Sequence, residues 1–113
     1  HLGPYLIGAI RALVEQGNWK PNASWLKADR HGLYLQWPQA AKDLVDFGRA
    51  RGYAAWPNDA PTLAALLKAA GIVKEEGAEL GTIEIVDESG EIVPALKIAN
   101  PLAVFDDFDP ADY

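Results

Sequence analysis

For nucleophilic or metal-centred chemistry the chain offers two histidines, His1 and His31, and no cysteine. A hydroxyl or thiol nucleophile needs a base beside it, and a zinc site needs several nitrogen or sulfur ligands. Neither can be assembled from this set. His31, between Arg30 and Gly32, reads as an exposed turn residue rather than a general base. The carboxylate pairs Glu75-Glu76 and Asp106-Asp107 lack the alternating ligand spacing of a calcium loop and read as solvated charge. Gly48, Gly52, Gly71 and Gly90 do not form a phosphate-cradling pattern, and packing, caps or turns account for each. The expectation is a domain with no catalytic residue, no metal, no cofactor and no small-molecule substrate.

Charge is more informative. The formal net charge of -6 hides an asymmetry, because every cation except Lys97 lies within residues 1–74 and most carboxylates follow Lys74. Lys42, Arg49, Arg51, Lys68 and Lys74 are therefore the candidates for contacts to DNA backbone phosphates. The competing reading makes them solubilising charges, with Lys42 and Arg49 pairing with Asp46 along one helix. Trp19, Trp25, Tyr34, Trp37, Tyr53 and Trp56 raise the further thought of stacking on unpaired bases. Trp37 alternates with Leu35 on the buried side of a strand and belongs to the core. Trp19 and Trp56 fall in loops, where exposure is expected.

The elements that would position these residues follow from periodicity. Leu33, Leu35 and Trp37 alternate with Tyr34 and Gln36, as in a strand burying one face. Pro38 then suits the first turn of a helix in which Ala41, Leu44, Val45 and Gly48 face inward and Lys42, Asp46 and Arg49 outward, ending at Gly52. Ahead of it lie a helix from Gly3-Pro4 to Gly17, an NWKPN turn, and a strand over Ser24–Asp29 that forms a hairpin with Leu33–Trp37. After it, Asn58 or Asp59 caps a third helix carrying Leu63, Leu66, Leu67 and Ala70. Ile72 and Val73 lead into a charged link. A last hairpin pairs Thr82–Asp87 with Glu91–Ala99, where Pro94 implies an edge position or a bulge. Helix, hairpin, helix, helix, wing hairpin is the order of a winged helix, an α+β fold.

At 113 residues, half of them hydrophobic, the chain is the size of one domain, read as a winged helix over 1–105 with a mobile acidic tail over 106–113. The absence of methionine and the histidine at position 1 lead to the expectation of a module of a longer protein. No apolar run is long enough to cross a bilayer, so a soluble, cytoplasmic module is expected. The outward face expected on the third helix, Thr62, Ala65, Lys68 and Ala69, is almost without base-reading groups. The wing tip, Asp87, Glu88 and Glu91, would meet phosphates with like charge.

The stretch GLYLQWPQAAKDLVDFGRARG, preceded by PNASWLKAD and followed by ALKIANPLAVF, resembles the C-terminal domain of the relaxases of conjugative plasmids and integrative elements, the TraI-type nickase/helicases. Asn22, the Gly32-Leu33 turn, Pro38, and Asn100-Pro101 ahead of Phe105 carry the likeness, and all read as structural. The resemblance implies a winged-helix module at the end of a protein whose amino-terminal part carries metal-dependent nicking. It supplies no catalytic residue here. The implied role is to hold DNA, weakly and without sequence specificity, or a protein of the transfer machinery. The alternative is a protein-interaction module that binds no nucleic acid.

Overall fold

The computed structural model describes residues 1–76 and 81–113. Part of the charged link expected after Val73 falls at 77–80, outside the described residues. The order is α1 (Gly3–Glu15), β1 (Leu26–Asp29), β2 (Gly32–Gln36), α2 (Gln39–Ala50), α3 (Ala60–Ala69), β3 (Ile83–Val86) and β4 (Ile92–Lys97). This is the expected element order, an α+β arrangement compatible with a winged helix.

The two hairpins are not separate. They join into one antiparallel sheet ordered β1-β2-β4-β3, with Tyr34 opposite Lys97 and Gln36 opposite Ala95 where the hairpins meet. The helices cover one face, where Leu26, Leu33, Leu35 and Leu96 meet Leu6, Ile10, Leu44, Leu63 and Leu67 in a continuous core. Ile72 and Val73, read as the start of a link, are buried and pair across the end of β4 through a Val73–Ile98 bridge.

Three local features explain why the chain folds this way. Asn22 adopts a left-handed φ of 62°, a conformation asparagine tolerates better than most residues. Its side-chain amide accepts from Ala28 N–H at 2.8 Å and donates to Ala28 C=O at 3.0 Å. Asn22 thus acts as a one-residue neighbour strand that satisfies the open edge of β1. Asp29 Oδ1 accepts from the His31 and Gly32 N–H groups and from the Tyr34 hydroxyl, tying the β1–β2 turn together. Asp59 caps α3 by accepting from Thr62 N–H at 2.8 Å, as the sequence leads one to expect.

Several expectations need correction. Alternation along β2 predicted one buried face, but all five of its residues are buried. The second face is covered because the tip of the β3–β4 hairpin reaches across it, where Lys27 Nζ donates to both carboxylate oxygens of Glu88 at 2.9 and 3.0 Å. Pro94 does not lie on an edge strand, since β4 is an inner strand of the sheet. It is tolerated because β2 leaves the ladder there. Trp37 N–H donates to Pro94 C=O at 3.0 Å, and the N–H that proline lacks would face this same residue, already past the end of β2. Trp19 is not exposed but 1% accessible, its indole N–H donating to Asp43 Oδ2 at 2.7 Å. Trp56 is half-buried, and its indole N–H donates to Leu44 C=O at 2.9 Å.

Trp56 also explains Gly48. A methyl group at position 48 would overlap the Trp56 indole, so the helix surface is notched where the ring lies. Gly48→Ala is accordingly expected to cost about 1–3 kcal/mol, the usual penalty of overpacking, despite alanine's better helix propensity. A urea midpoint that stays put or rises in that variant would contradict the packing.

Within 106–113, the segment expected to be a mobile acidic tail, Asp106 and Phe108 make contacts with the rest of the chain. Arg11 donates to both carboxylate oxygens of Asp106 at 3.0 and 2.9 Å and to Ala103 C=O at 2.9 Å. Phe108 is buried in the core cluster, and Tyr113 stacks on it with ring centroids 6.0 Å apart.

Candidate nucleic-acid interface

The outward face of α2 brings two of the five candidate cations together. Lys42 and Arg49 are seven residues apart, nearly two helical turns, and so share one exposed strip. Lys42 Nζ donates to Asp46 Oδ2 at 2.9 Å, and that bond holds the ammonium above its usual pKa. This is the Lys42 half of the pairing the competing reading expects; Arg49 does not pair with Asp46. Arg49 is exposed and enters no ion pair among the described residues. Arg51, just past the end of the helix, places its guanidinium 3.5 Å above the Phe47 ring, leaving the edge of the group for a further partner.

The remaining two lie elsewhere. Lys68, on α3, donates to Gly81 C=O at 2.8 Å and so ties that helix to the start of the last hairpin. Lys74 stands 3.8 Å from Glu76 Oε1 beyond the helices. The outward face of α3 is otherwise Thr62, Ala65 and Ala69, all exposed.

The acidic wing tip is partly a structural device. Asp87 Oδ1 accepts from the Ser89 hydroxyl at 2.6 Å and from the N–H groups of Ser89 and Glu91, which closes the turn. The Ser89 hydrogen bond, with the Glu91 and Ser89 N–H groups behind it, holds the Asp87 carboxyl below its ordinary pKa. The hydrogen bond from Lys27 does the same for Glu88. Beneath this turn the Tyr34 hydroxyl is pushed up to about 12, first by burial and then by the Asp29 carboxylate. Of these, the Lys27–Glu88 pair holds the hairpin tip down on the sheet.

Beside the cationic strip, three aromatic rings run from α1 to the α2–α3 loop. Tyr5 and Tyr53 meet edge to face with centroids 5.4 Å apart, and Tyr53 meets Trp56 at 5.4 Å. Tyr5 is 54% exposed. In the sequence Tyr53 and Trp56 stand only as isolated aromatics. Their grouping with Tyr5 was not legible, because α1 is far away along the chain. His31 is exposed in its turn. Among the described residues no group of histidine, cysteine and carboxylate side chains could hold a metal, and no helix is long and apolar enough to cross a membrane.

Residues 1–79 match the model of a family, TraI_2, whose description is "Putative helicase". No curated protein and no solved structure matches the chain.

Proposed function

The chain belongs to the TraI_2 family, and from that premise we propose that it is a non-catalytic module of a cytoplasmic conjugative-transfer relaxase that holds DNA through its phosphates, weakly and without reading base sequence. The observation that carries this reading is the exposed strip of Lys42 and Arg49 on α2, beside an α3 face that lacks base-reading side chains, with Arg51 a further cation over Phe47 past the helix end. Lys68 and Lys74 contribute less, because Lys68 is engaged with Gly81 and Lys74 lies near Glu76.

A salt series with single-stranded and duplex DNA tests it. Affinity should fall steeply as salt rises and should be indifferent to duplex sequence. Arg49→Gln should weaken binding uniformly and reduce the salt slope by about one. A duplex preferred at least about a thousandfold over scrambled DNA would refute the reading, since that is the low end of specific recognition.

A second reading rests on the wing. Val86 and Ile92 face each other across the β3–β4 ladder and are each 67% exposed, with Glu84 and Glu91 also exposed beside them. An apolar pair bordered by carboxylates suits a basic protein of the transfer machinery. Absence of DNA binding even at low salt would favour this alternative.

A further inference from the structure

We propose that the cleft between α2 and the α2–α3 loop is a base-stacking site for single-stranded nucleic acid, in which the Tyr53 and Trp56 rings, extended outside the cleft by Tyr5 against Tyr53, receive unpaired bases and Arg49 holds the adjoining phosphate. This rests on the DNA-holding reading above and adds to it the strand form and the residues that select it.

The cleft has a volume of about 310 Å³ and is lined by Val45, Arg49, Tyr53, Trp56 and Asn58 among others. That is the lower end of the roughly 300–1,000 Å³ typical of small-ligand sites, enough for a flat heterocycle. A second cleft shares Val45, Arg49 and Asn58 and extends along the same helix face to Lys42, so a strand leaving the first would run beside both cations.

The rings are held in place rather than left mobile. The Trp56 indole lies in the notch at Gly48 and donates to Leu44 C=O at 2.9 Å, which fixes its plane. Ala55, which also lines the cleft, has a left-handed φ of 59°, unusual for a residue other than glycine. Backbone strain of this kind collects where a loop must present a neighbouring side chain in one orientation, here Trp56. Tyr5, at the outer end of the series, leaves more than half of its surface in water, so the core does not account for its ring.

Chemistry then chooses the strand form. Every base has a π face that can stack on an aromatic ring, but in a duplex those faces are already stacked on one another. A tyrosine and tryptophan ledge beside a guanidinium free of carboxylate partners among the described residues therefore suits an unpaired strand. Asn58 at the rim offers an amide for the edge of a base.

The test is fluorescence anisotropy at low salt with an oligothymidylate, an abasic strand of equal length, and a duplex, each titrated with the whole chain. The oligothymidylate should bind about tenfold more tightly than the abasic strand, within the range for one base stacked on an aromatic ring. Tyr53→Leu should remove most of that difference and Tyr5→Leu a smaller part of it, each leaving the affinity for the abasic strand unchanged. Equal affinity for the abasic and thymidylate strands would overturn the stacking site while leaving phosphate binding intact. Failure of all three DNAs to bind would overturn both. A proline-rich peptide that occupies the cleft in a Tyr53-dependent way, without discrimination among the DNAs, would assign the cleft to a protein partner and overturn the proposal.

Discussion

Trp19→Ala is expected to lower the unfolding free energy by about 3–5 kcal/mol, the range for emptying a large aromatic site. Trp19 heads the largest fully buried side chains and is only 1% accessible, although it lies in the connection between α1 and β1. The end of α1 places it there. Gly17 turns the chain with a φ of 80°, and Trp19 N–H then donates to Leu13 C=O at 3.0 Å, which brings the ring in beneath the helix. Its indole N–H meets Asp43 on α2, so one side chain links the first two helices through both packing and a hydrogen bond. The two contributions can be separated. Trp19→Phe keeps much of the apolar ring but leaves the Asp43 carboxylate without its donor, and should cost about 1–3 kcal/mol. Denaturant midpoints of the two variants measure the order, and an alanine variant as stable as the phenylalanine one would show that the ring is not buried.

Trp37→Ala should cost a similar ~3–5 kcal/mol for a simpler reason. Trp37 is 5% accessible at the point where β2 turns into α2, packed in the same core as Leu35 and Leu44. Its backbone N–H bond to Pro94 survives the substitution, so the loss is one of volume and contact. Trp37→Leu, which refills part of the cavity, should recover part of the stability. Trp56→Ala should cost less than either, because that ring already keeps part of its surface in solvent. An unchanged midpoint for Trp37→Ala would remove the strand-to-helix junction from the core and with it the placement of α2.

The cationic strip was more legible in the sequence than its surroundings. Lys42 and Arg49 follow from helical periodicity alone, as does the Lys42–Asp46 pair, because spacings of seven and four put residues on one face whatever else the chain does. Charge alone puts Lys68 and Lys74 in the same set, yet Lys68 stands on α3 and Lys74 beyond it. The aromatic ledge needed Tyr5, which only the packing of α1 beside the α2–α3 loop brings to Tyr53.

By itself the sequence determined what local physics controls. The alternation of Leu33 and Leu35, the 3.6-residue stripe of α2, the Asp59 cap and the turn glycines set the type and order of every element, because each depends on neighbours a few residues away. Tertiary structure decided what depends on partners distant in the chain. Whether Gln36 and Tyr34 face water was set by a hairpin tip folding over them through Lys27 and Glu88, 61 residues apart. Whether Trp19 is core or surface was set by the core packed around it and its bond to Asp43, and whether Pro94 sits on an edge by the pairing of β4 with β2. The same holds for Arg11, which periodicity sends outward and which finds Asp106 only because the chain returns across α1, 95 residues later. Hydrophobic pattern and propensity carry no record of such meetings. They arise when separate amphipathic pieces bury their faces together, and the contacts made there follow from that shared burial rather than from any one segment.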